Sequence, residues 1–247
     1  MKEKLAIAQL RGTIFAPINI GYTPDNFNKF SEMLLPGAKA CNANPPEMMI
    51  PGINPNQPQY GMPWRLFKKD AIEGDINIVF LPGKIDIILT KDIAYGGHEE
   101  KDFCTKCSEL FGKILETHKG ALVNRIAYAP LYAIKLVNTS AESVWGGFLK
   151  RTVIDGTPIQ DVNFSFLLKR EVQFNGSAVQ MNFLHSFYDG IQIRQMGTGN
   201  VSQKVVLLQL DLNSIPESPL AFNSDGVKDF FTGILEVKDN LVDNVSK

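Results

Sequence analysis

At 247 residues and 44% apolar, the chain has the composition of an ordinary globular protein with a packed core, arranged as one large domain or two small ones. Lys and Arg total 25 against 26 Asp and Glu, so no global field attracts a polyanion or an anionic membrane, and nucleic acid is disfavoured as a partner. The apolar run at the N-terminus is too short for a signal peptide, no stretch approaches a membrane span, and three cysteines do not make a disulfide framework; together these predict a soluble, cytoplasmic protein.

In chain order, Leu5 to Ile18 is rich in β-forming residues and predicts a first strand, ended by Pro17 and a turn over 19–21. Thr23 is placed to cap a helix with Pro24 at its first position and Phe27, Phe30 and Leu34 as its buried stripe, stopped at Pro36-Gly37. Residues 36–63 hold seven of the fourteen prolines and follow no period. The segment also carries Met48, Met49, Ile50, Ile53 and Tyr60, with Trp64 directly after it, too apolar for a plain linker. Two readings stand: an ordered loop packed over the sheet, or a lid or partner-binding loop using those six residues.

Trp64 to Lys69 is a short strand candidate, followed by a hairpin over Ile76 to Thr90. A two-residue loop at Pro82-Gly83 sets Phe80 against Ile85, Ile78 against Ile87 and Ile76 against Leu89, all apolar and on one face; a slip of one residue destroys the match. A helix from about Glu99 to His118 buries Phe103, Cys107, Leu110, Phe111, Ile114 and Leu115, and Gly120 ends the first half. Leu122 to Val137 then mirrors the first strand, and Thr139 with Glu142 predicts a capped helix to Arg151.

Asn175-Gly176 is a favoured type I′ pair, setting Val172 against Val179, Arg170 against Met181, Leu168 against Phe183 and Phe166 against His185. A second turn at Asp189-Gly190 is expected to place His185 opposite Arg194. The chain then runs as a strand from Val201 to Asn213 and ends in a helix over 225–245, capped by Asn223 or Ser224 and buried through Phe230, Ile234, Val237, Leu241 and Val242. Both long helices follow an apolar strand, and both stripes begin with Lys-Asp-Phe.

These elements predict an α+β fold of two similar β-α-β(3-4)-α halves, residues 1–120 with an insertion at 36–63 and residues 121–247, built as a curved antiparallel sheet with helices packed on one face. In element order the tandem resembles the repeats of the TATA-binding protein, a likeness of topology that implies nothing about DNA. The Leu-Pro-Gly-Lys-Ile-Asp-Ile hairpin and the ending Leu208-Gln209-Leu210-Asp211-Leu212 before a terminal amphipathic helix resemble a sporadically distributed bacterial family of unknown function. That resemblance implies a bacterial origin and carries no activity.

Candidate chemistry is sparse. Cys104-Thr105-Lys106-Cys107 has a spacing used by zinc and by thiol exchange, but no second close pair of ligands accompanies it, and Cys107 falls on the helical stripe, so core packing with no metal or cofactor is expected. Glu236-Val237-Lys238 lies within a helical stripe. Arg170, His185 and Arg194 converge in the expected register on an apolar face, where they either bind an anion or serve as sheet-end cations beside a core histidine. No phosphate loop, nucleophile elbow or metalloprotease helix is present, so enzyme activity has no positive support. The favoured expectation is a non-enzymatic binding or assembly protein acting through protein association or self-association; the alternative is a ligand-sensing or catalytic protein using Arg170, His185 and Arg194.

Overall fold

The computed structural model of the chain describes residues 5–43, 58–69, 74–90, 100–134, 153–154, 157–158, 163–196, 199–215 and 222–245. Its strands are β1 (Leu5–Phe15), β2 (Lys39–Asn42), β3 (Trp64–Lys68), β4 (Asp75–Leu81), β5 (Lys84–Thr90), β6 (Arg125–Ile134), β7 (Val153–Ile154), β8 (Thr157–Pro158), β9 (Asn163–Phe174), β10 (Ser177–Met196) and β11 (Gly199–Ser214). The helices are α1 (Pro24–Leu34), α2 (Glu100–Thr117) and α3 (Ser224–Val245). None of the described helices is long and apolar enough to cross a membrane. β7 and β8 pair only with each other; the remaining strands form one nine-stranded antiparallel sheet in the order β2-β3-β4-β5-β1-β6-β11-β10-β9.

That order is symmetric about the central pair β1 and β6. β5, β4 and β3 run outward from β1 as β11, β10 and β9 do from β6, and β2 lies beyond β3. α2 follows β5 and α3 follows β11, and the two helices pack together, with Phe111 stacked on Phe231 at 5.6 Å. All three helices cover the same sheet face. Phe30 of α1 meets Phe80, Phe103 of α2 meets Tyr128, and Phe230 of α3 meets Phe174, so apolar alternation in the strands and the helical stripes close one core. The other face, against which none of the described helices packs, carries polar pairs such as Thr13 with Asp86 and Arg125 with Asn213.

The β4–β5 hairpin has the expected register, with Phe80 opposite Ile85, Ile78 opposite Ile87 and Ile76 opposite Leu89. A Pro-Gly turn suits hairpin twist poorly, and here it is held from outside: Ala16 N–H donates to the Gly83 carbonyl at 3.1 Å, and Gly83 N–H donates to the Ile18 carbonyl at 3.0 Å. Those bonds also explain why β1 stops at Phe15 and not at Ile18. Thr23 caps α1 by accepting from Asn26 N–H, and Asn223 caps α3 by accepting from Gly226 N–H. The Asn175-Gly176 hairpin also has the expected register, with φ of +48° and +83° at the two turn residues, as a type I′ loop requires.

Three expectations are corrected or fall outside the described residues. The segment 36–63 is not all loop, because Lys39–Asn42 forms β2 and pairs with β3. No turn forms at Asp189-Gly190: β10 continues to Met196, with Asp189 paired to Val206 and Gly190 to Val205, so pairing to a long neighbour outweighs local turn preference. The helix expected over 140–151 lies outside the described residues. In the centre of the sheet, Pro130 stands within β6, and the β6–β11 ladder lapses there between Gln209–Leu131 and Leu212–Tyr128, as a residue without an N–H dictates.

Candidate functional site

Of the residues expected to meet a partner, Met48, Met49, Ile50 and Ile53 lie outside the described residues. Tyr60 and Trp64 are four positions apart and have opposite fates. Trp64 opens β3 on the helix-covered side and is fully buried, stacked on Phe80 at 4.7 Å, with Tyr22 and Phe27 against its edges. Its indole N–H donates to the Ile20 carbonyl at 2.9 Å. It is therefore a core anchor and offers a partner no surface, which corrects the reading of it as a contact residue.

Tyr60, in contrast, is 79% exposed, and Met62 beside it is 45% exposed. The turn that carries them is fixed by its backbone: Gly61 N–H donates to Tyr22 C=O at 2.7 Å, Tyr22 N–H to Met62 C=O at 3.0 Å, and Met62 N–H to Gln59 C=O at 3.1 Å. Gly21 makes this docking possible, since a Cβ there would stand 2.7 Å from the Gly61 carbonyl oxygen. A large aromatic side chain is thus held out from a turn whose ordering cost is met by folding, the arrangement that makes tyrosine effective in protein contacts.

The basic trio does not assemble as expected. His185 pairs with Phe166 on one side and Leu210 on the other, whereas Arg194 pairs with Val201, nine residues further along β10 and roughly 30 Å away at the usual rise of a strand. Arg170 is exposed and borders a cleft of about 310 Å³ with Val172, Phe183, Val237 and Asn240. His185 is 2% exposed, its ring stacked on Phe166 at 4.5 Å, with Nδ1 3.3 Å from the Phe183 carbonyl and Nε2 without a hydrogen-bond partner among the described residues. Burial lowers its pKa, Arg170 lowers it further, and the Phe183 carbonyl partly opposes both, which favours a neutral core imidazole.

Sequence reasoning missed a buried polar cluster where α2, α3 and β6 meet. Tyr128 and Tyr132 each donate from the hydroxyl to Glu100 Oε1 at 2.6 Å, while Lys238 Nζ pairs with Glu100 Oε2 and lies 3.2 Å from Asp239 Oδ1. Lys238 is only 6% exposed and sits 5.8 Å from the Tyr132 ring centre. Burial first and Glu100 second push both tyrosine hydroxyls well above their ordinary pKa, so they act as neutral donors. Both carboxylate oxygens are engaged by these three donors; chemically this is a clamp between the long helices and the sheet. Its one sequence signal was a lysine on an otherwise apolar stripe.

Cys104 and Cys107 face the core beside this clamp. Burial, then the Glu100 charge, raises the Cys104 thiol to about 12 against an opposing effect of Lys238, and burial raises Cys107 as well. Both are protonated thiols near neutral pH, unlike the thiolates that exchange uses. No family model matches the chain, and no curated protein is detectably similar to it.

Proposed function

We propose that the chain is a non-enzymatic binding or assembly protein that acts through protein–protein association, with the turn of Tyr60 and Met62 as part of the contact. The observation that carries this reading is Tyr60, 79% exposed on a turn tied to Tyr22 by two backbone hydrogen bonds. Fixed aromatic groups of this kind supply large contact area at small entropic cost. The free thiols Cys41, Cys104 and Cys107 suit action in the cytoplasm, and the family resemblance of the hairpin and the chain's ending suits a bacterial source. The alternative anion site draws no support from a register that separates Arg194 from His185.

Affinity-tagged wild-type and Tyr60→Ala/Met62→Ser chains, purified from the same source-cell extract, test the reading. Specific proteins retained by the wild type should be lost by the double variant at unchanged thermal stability. Equal retention by both chains would sink it.

We also infer that the two halves descend from one duplicated unit. The symmetric strand order and the paired α2 and α3 support this. Superposing β1, β5, β4, β3 and α2 on β6, β11, β10, β9 and α3 should bring Phe103 onto Phe230; helices that fall on opposite faces would end the idea.

A further inference from the structure

The two ends of the sheet occupy equivalent places in its symmetric order, yet β2 lies outside β3 whereas no described strand lies outside β9. We propose that a second copy of the chain fills that place, pairing antiparallel along β9 about Leu168. This rests on a different observation from the Tyr60 reading and on the opposite edge of the sheet, so either can fail alone.

Backbone geometry sets the allowed pairings. Phe174 and Ser177 close a two-residue hairpin and so form a hydrogen-bonded pair; alternation along the ladder then leaves the odd-numbered residues of β9 with N–H and C=O groups directed away from β10. Two copies related by a two-fold axis normal to the sheet must match odd residues with odd and even with even. Pairing about Arg170 sets Arg170 against itself, and pairing about Lys169 sets Lys169 against itself; like charges directly opposed disfavour both.

Pairing about Leu168 avoids this conflict. Lys169 faces Leu167 of the second copy, Glu171 faces Ser165, and Arg170 faces Phe166. One face of the Phe166 ring is stacked on His185 toward the sheet interior, at an interplanar angle of 10°, so its other face is turned to the outer edge of the described sheet, where the guanidinium of the second copy meets it. Leu167, 50% exposed in the single chain, is covered by the aliphatic stem of Lys169. Charges at a strand edge commonly guard against pairing; here Lys169 and Arg170 disfavour the registers centred on themselves and admit this one.

Sedimentation velocity of the full chain should give a dimer at micromolar concentrations, and a monomer throughout would overturn the proposal. Leu168→Cys should form an intermolecular disulfide on mild oxidation, because the native cysteines are buried and residue 168 meets itself on the axis. Arg170→Cys and Lys169→Cys should cross-link far less; stronger cross-linking at either than at 168 would overturn the register. Lys169→Pro, which removes an outward N–H, should give a folded monomer, and a persistent dimer would count against edge pairing. If that variant fails to fold, the cysteine series decides alone.

Discussion

At one end of the sheet, β3 holds Trp64 wholly out of solvent beneath α1 and beside β2, whereas at the other end β9 leaves Arg170 exposed and Phe166 and Leu168 only partly buried on the same face. Both strands alternate apolar residues on the helix-covered face, so alternation does not explain the difference. What covers the strand does. Phe27 and Phe30 of α1 close over Trp64 and Phe80, while α3 meets β9 through the Phe174–Phe230 contact at its end. Burial of an amphipathic strand is therefore a property of its neighbours, and a partner surface can remain on a strand that reads as core.

The largest effect should come from Trp64→Ala, which removes a fully buried indole and leaves the Ile20 carbonyl without its donor. A loss of about 3–5 kcal/mol is expected in urea denaturation. Leu168→Ala, partly buried on the same face at the β9 end, should cost less in the single chain, about 1–2 kcal/mol. Similar losses at the two positions would break the comparison.

A smaller effect, about 1–3 kcal/mol, is expected for Gly21→Ala, because its Cβ would be forced against the Gly61 carbonyl and the turn must shift. The same variant should loosen the Tyr60 turn, seen as faster amide exchange at Gly61 and Met62. Unchanged exchange would mean that Gly21 does not hold the turn in place.

Smaller still is the pH dependence at the β9 end. Burial depresses the folded pKa of His185 below 6.5, so the unfolded chain takes up the proton first. The stability contributed by His185 is intact above pH 6.5 and declines as pH falls toward the depressed value. His185→Phe should flatten this decline between pH 7 and 5 while keeping the stack on Phe166, and an unaltered slope would show that His185 is not its source.

The Asn175-Gly176 hairpin was legible because turn residues and apolar parity agree there, and the Pro82-Gly83 hairpin because apolar parity alone fixes one register despite an unfavourable turn pair. At Asp189-Gly190 the two signals conflict, and the partner β11, paired along the length of β10, prevails over a favourable turn dipeptide. β2 was illegible because its four residues, Lys39-Ala40-Cys41-Asn42, have no apolar alternation and depend on β3 for their form. The Glu100 clamp joins residues 28, 32 and 138 positions apart, separations for which a single sequence holds no local pattern. Trp64 and Tyr60 looked equivalent for a simpler reason: strand parity buries one, and a backbone turn projects the other.

The most direct test places a photo-reactive phenylalanine analogue at position 60 of the full chain, with a control at exposed Lys106 on α2, and irradiates intact cells. The account predicts discrete protein adducts at position 60 that are missing from the control. Identical adducts at both positions, or none at position 60, would contradict it.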